Sequence, residues 1–427
     1  MMNIKSEEFK TAMSVVREKI AVAKQRGTHK GFIDYNGCLS ICHEFMDILE
    51  DAGKAVERGE CAYAYSVTAL ILINCAKLAG SADDSSGGVT DTRGWVEEVL
   101  EKISSKVEYG SAEAEFIFRQ SLKDSRNKIF NEWEEFAYDL LLAAAKLATT
   151  KNVNHLYTVL DELSERLSQK AYASWHMESD RLVRLAAITA SDGDEAAARF
   201  IASNLKYDSI LRVAILKAIE NEKYIEGEKL CLGKISSMDR DYYWTQEWYE
   251  LLFDIYIKMD NKGKQADLAA DLLIYKHDTQ YYDVLKNLLR EKGVWEIEYP
   301  LLLEQLEQNL PYRLYSHILD EEGEMERLLN LVSVHSSSVF DYVKQLSMKF
   351  PKETYGICLA EIRKQADQAD NRMKYRHICS NIGSLFSYGG VTETYDIIEE
   401  LQGKYPRRSA MLDELNQLLA RLKKKQA

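Results

Sequence analysis

Apolar residues recur along this chain at three- and four-residue steps, and strand-like alternation is scarce. Phe136, Leu140, Leu141, Ala144 and Leu147 form one such run, and Leu412, Leu415, Leu418, Leu419 and Leu422 form another. A period of 3.6 residues puts each set on one face of an amphipathic helix. The pattern predicts long helices near residues 6–26, 38–58, 60–80, 93–107, 112–148 and 152–170. All four prolines, Pro300, Pro311, Pro351 and Pro406, lie in the last third. Proline interrupts helices, so the long proline-free stretch before Pro300 suits helices joined by glycine-based turns.

Turn-like clusters punctuate the second half at Asp192-Gly193-Asp194, Asn221-Glu222-Lys223, Asn261-Lys262-Gly263, Lys292-Gly293-Val294, Glu322-Gly323-Glu324 and Gly389-Gly390, with a further break at Pro351. Their spacing of about 30 to 40 residues is that of helix-hairpin repeats. Gly263 leads to Ala266, Ala269, Ala270 and Leu273. Gly390 leads to Tyr395, Ile398 and Leu401, then Tyr405-Pro406, in the manner of the second helix of a tetratricopeptide hairpin. No full tetratricopeptide consensus is present, so the repeats are degenerate. The expected fold is all-α, a helix-hairpin, tetratricopeptide-like α-solenoid. Residues 1–174 read as an irregular helical region and 175–427 as the helical-repeat solenoid, with one continuous superhelix as the alternative.

Composition narrows the function. With 427 residues, 46% of them hydrophobic, the chain can bury a large core. A net charge of −13 opposes direct docking on nucleic acid or anionic membrane. The basic run Arg421, Lys423, Lys424 and Lys425 reads as a solvated helix end, where cations complement the dipole. The longest apolar stretch, 67–79, contains Asn74 and Lys77 and is short for a bilayer span. The polar first ten residues do not read as a signal peptide. The seven cysteines (Cys38, Cys42, Cys61, Cys75, Cys231, Cys358 and Cys379) are odd in number and irregularly spaced. They are expected to be free, buried thiols in a reducing compartment, and the expected location is the cytoplasm, without a membrane anchor.

Gly31-Phe32-Ile33-Asp34-Tyr35, an apolar helix pair and then Asp83-Asp84-Ser85-Ser86-Gly87 follow one another here. This order resembles the helical C-terminal region of bacterial SWIM zinc-finger family proteins. Further phrases agree: the helix from Leu182 to Ala190 with its Asp192-Gly193-Asp194 turn, Gly293-Val294-Trp295, and the closing Tyr405-Pro406-Arg407-Arg408. The resemblance covers about residues 28 to 420. It implies a helical-repeat region that acts beside a nucleic-acid-associated module. The zinc finger of that family needs Cys-x-Cys followed by Cys-x-His, and neither occurs in this chain, so its metal ligands have no counterpart.

Several clusters could carry chemistry. Cys38 and Cys42, with His43, share a helical turn, but their apolar neighbours Leu39, Ile41 and Phe45 read as core. His43-Glu44-Phe45-Met46-Asp47 falls one imidazole short of the zinc-protease motif. The loop Asp83, Asp84, Ser85, Ser86, Gly87 offers clustered carboxylates, but position twelve of a calcium loop would be Gly94 or Trp95 rather than glutamate. A helix-capping turn is the simpler reading. Around Tyr242, the rings Tyr243, Trp244, Trp248, Tyr249 and Tyr256 concentrate aromatic area that could grip a peptide or fill an inter-repeat core. No phosphate loop, dinucleotide fingerprint or nucleophile elbow occurs. The expectation is a non-enzymatic interaction scaffold for another protein or peptide, with no metal and no cofactor. The alternatives are an accessory subunit of a nucleic-acid-associated system and a peptide-sensing regulator.

Overall fold

The computed structural model describes residues 6–167, 173–238 and 245–426. Among them are twenty-two α-helices and no β-strand, so the fold is all-α. The chain divides into two compact units, Met1–Lys234 and Ile235–Ala427. The first contains α1 (Glu7–Gly27), α2 (Tyr35–Glu57), α3 (Cys61–Ala79), α4 (Gly88–Lys106), α5 (Ala112–Asp124), α6 (Glu134–Lys146), α7 (Val153–Leu167), α8 (Ala173–Asp192), α9 (Asp194–Ser203) and α10 (Asp208–Glu220). The last turn of α11 (Tyr224–Ser237) passes the division.

By length and composition α3 is apolar enough to cross a membrane, the one such helix among the described residues. It is the centre of the first unit, packed by α2, α4 and α5, with Tyr65, Ile71, Leu72 and Cys75 fully buried. A helix apolar on every side is what an interior position requires. Helices α1 and α2 cross unusually closely. A Cβ on Gly37 would lie 2.1 Å from the Gly27 carbonyl oxygen, so no larger residue fits there. All seven cysteines are free and buried.

The second unit runs α12 (Gln246–Lys258), α13 (Lys262–Lys276), α14 (Gln280–Glu291), α15 (Trp295–Asn309), α16 (Tyr312–Glu322), α17 (Met325–Val334), α18 (Val339–Lys349), α19 (Pro351–Gln368), α20 (Arg372–Ser387), α21 (Val391–Lys404) and α22 (Ser409–Gln426). Consecutive helices pack on one another, and alternate helices are joined by polar bridges. Ser316 of α16 meets Tyr342 of α18 at 2.9 Å, and Arg376 of α20 donates to the buried Glu414 of α22 at 3.2 Å. In the other layer Arg363 of α19 pairs with Glu400 of α21 at 2.7 Å. This two-layer, repeat-like arrangement is what stacked hairpins produce.

One turn geometry recurs at helix ends. Gly59, Glu222, Asp260, Gly293, Gly323 and Gly389 are all left-handed. In each case the next residue's N–H donates to the carbonyl five positions back: 60 to 55, 223 to 218, 261 to 256, 294 to 289, 324 to 319 and 390 to 385. This closes the orphan carbonyls of the helix end and reverses the chain. Five of the six lie at the turn clusters read from the sequence. The single helix expected over 112–148 is instead two. Ser125 to Trp133 interrupt it, with Asn127 capping a short 3₁₀ turn through the Ile129 N–H at 3.1 Å. Asparagine competes with helix by bonding its own backbone, and here it wins.

Candidate partner-binding groove

The Asp83 loop sets the start of α4. Asp84 Oδ1 accepts from the Val89 N–H at 3.0 Å and from the Cys38 thiol at 3.7 Å. Ser86 Oγ accepts from the Gly88 N–H at 3.3 Å, while Asp83 Oδ1 accepts from the Ser85 N–H and hydroxyl at 3.2 and 2.7 Å. Gly87 completes the turn with φ of 74°. The loop is anchored to the Ile33 segment, whose carbonyl accepts the Asp83 N–H at 2.9 Å. Its oxygens therefore close the turn and cap α4. Hydrogen bonds from Ser85 hold Asp83 below the usual carboxylate range. Burial, with Cys42 and Asp84 adding to it, pushes the Cys38 thiol up to about 12. His43 and Asp47 lie on the exposed side of α2, opposite the buried Cys38 and Cys42. Among the described residues no group of three or more His, Cys, Asp or Glu could hold a metal ion.

So positioned, α4 forms one wall of a groove with α6 as floor and α8 as the other wall. The three helices run in the same direction. Arg93 meets Asp139 near the start of α4 and α6, and Glu101 pairs with Lys146 two turns further on. Beyond them the Tyr109 hydroxyl lies 2.9 Å from the carbonyls of both Ala148 and Ala190, which share its one proton. The groove has a volume of about 710 Å³, and its apolar lining is Leu100, Leu142, Ala143, Leu182 and Val183.

Arg93, Asp139 and Glu97 form one ion-pair cluster in the groove, and Glu101 and Lys146 form another. Arg93 donates from Nε to Asp139 Oδ2 and from Nη2 to Oδ1, each at 2.7 Å, lies 3.3 Å from Glu97, and covers the Phe136 ring at 5.6 Å. Burial pushes the Asp139 carboxyl above the usual range against the pull of Arg93. Glu97 is raised by burial and then by the Asp139 charge. Burial lowers Lys146. Both oxygens of Asp139 are committed to Arg93, so this carboxylate is not a free general base.

None of these groove residues stands out in the sequence. Arg93, Glu97 and Glu101 are spaced at i, i+4 and i+8, which by itself reads as a solvated helix face.

Among the described rings of the aromatic segment, two belong to the interior. Trp248 and Tyr256 are 3% and 6% exposed. Tyr249 is half-buried, with the Lys276 ammonium 5.5 Å from its ring centre. Tyr243 and Trp244 lie outside the described residues. Compared with models of protein families, with curated proteins and with solved structures, the chain matches none.

Proposed function

We propose that the protein is a non-enzymatic module that binds another protein or peptide, and that the groove over α6 seats a segment of that partner. The observation that carries this reading is an apolar floor left open between three parallel helices, flanked by the Arg93–Asp139 and Glu101–Lys146 pairs. Helical repeats commonly use such a face for recognition, because each repeat adds one rigid wall. The test is affinity purification from the native host with wild-type protein and with Leu142→Asp. Leu142 is half-buried in the groove, so its replacement alters the floor more than the core. A stoichiometric partner recovered by wild type and lost by the variant, with melting temperature retained, is the expected result. Equal recovery by both proteins would move the binding site elsewhere.

A further inference from the structure

We infer that the groove takes an amphipathic helix that carries cationic side chains at the end lying beside Glu97 and Glu98. The inference rests on the groove being the partner seat. Along α4 the lining runs from Arg93 to Ser104, which at 1.5 Å per residue is about 16 Å, or about three helical turns. Walls on both sides and leucines from α4, α6 and α8 suit an apolar stripe of i, i+3, i+4 and i+7 residues.

Charge then selects among such helices. Arg93 is neutralised by Asp139, and Lys146 by Glu101. The residual charge is polarised. Glu97, which also meets Arg93, and Glu98 lie in the half of the lining nearer Arg93, and Lys102 lies in the other half, one turn beyond Glu98. Among the described residues neither Glu98 nor Lys102 has an ion-pair partner. Lysine or arginine of the partner completes the acidic end, whereas an acidic residue there meets like charge in a partly desolvated trough. The opposite end of the helix, facing Lys102, is neutral or acidic.

Two labelled 14-residue helical peptides test this, identical in their leucine stripe and carrying either two lysines or two glutamates in the first turn. Fluorescence anisotropy at low salt is read for wild type, Glu97→Lys/Glu98→Lys and Leu142→Asp, each first checked for an unchanged melt. The lysine peptide is expected to bind wild type at least tenfold more tightly, the order to reverse in the double variant, and Leu142→Asp to lose both. If both peptides bind wild type equally and Leu142→Asp loses both, the groove stands and the charge selection is wrong. If neither binds wild type, or Leu142→Asp leaves binding intact, the groove itself is not the seat.

Discussion

Arg93 and Asp139, 46 residues apart in the chain, face each other through two parallel hydrogen bonds of 2.7 Å. The guanidinium and carboxylate planes match in shape, so the contact fixes the lateral position of α6 against α4 as well as compensating two charges. The Asp139 side chain is only 8% exposed.

Removing one partner of this pair costs more than removing both. Arg93→Met leaves a carboxylate in a site with little water, and a loss of about 3 kcal/mol is expected. The double variant Arg93→Met/Asp139→Leu should recover most of it. Urea unfolding of the three proteins decides the matter. With Asp139→Leu measured alongside, a double-variant loss equal to the sum of the two single losses would show that the charges are solvated and uncoupled.

The acidic end of the groove has a pH signature. Glu97 holds its proton to higher pH in the folded protein than in the unfolded chain, because burial and then Asp139 disfavour the charge. Its contribution to stability therefore falls as pH rises from the unfolded value through the folded one, and the deficit persists above that. Glu97→Gln is expected to melt slightly above wild type at about pH 8, with the difference closing by about pH 4, near the ordinary carboxylate value. The effect is small because the Glu97 side chain is 52% exposed. A variant that melts below wild type at the higher pH would mean that the Arg93 contact outweighs burial.

Two of the recurring turns carry a side chain where glycine is at ease. Glu222 sits at φ 59° and Asp260 at φ 50°. A non-glycine residue there carries about 1 kcal/mol of steric cost. Glu222→Gly should therefore gain stability of up to about 1 kcal/mol despite the freer unfolded chain, whereas Gly323→Ala should lose a similar amount. Paired thermal melts give the sign, and a destabilised Glu222→Gly would mean that its side chain contributes an interaction exceeding the backbone strain.

The thiols should be silent in the native state. Burial pushes Cys231 and Cys358 up to about 12 and Cys379 to about 11. The thiolate is the reactive form, so Ellman's reagent at about pH 8 should label none of the seven until denaturant is added, and then all seven. Rapid labelling of one native thiol would reveal local opening around it.

Helix content and turn positions are readable from the amino-acid sequence because both depend on residues within about five positions of one another. The Gly293 and Gly323 turns show this: a left-handed residue and a carbonyl five places back are all the geometry requires. The stripe Trp248, Leu252 and Tyr256 is also visible there. Periodicity alone, however, does not say whether a stripe faces a core or a partner, and the packing turns Trp248 and Tyr256 inward. The Asp83 loop is legible as a cap for the same local reason.

The groove has no such local signal. Arg93, Glu97 and Glu101 alone describe a charged helix face. They become one wall of a trough only when α6 arrives in parallel and brings Asp139 and Lys146 from 46 and 45 residues away. What the chain determines by itself are contacts made within one turn of helix. What tertiary structure decides is which faces meet, because that choice is made by burying apolar area between elements whose separation in sequence carries no periodic signal.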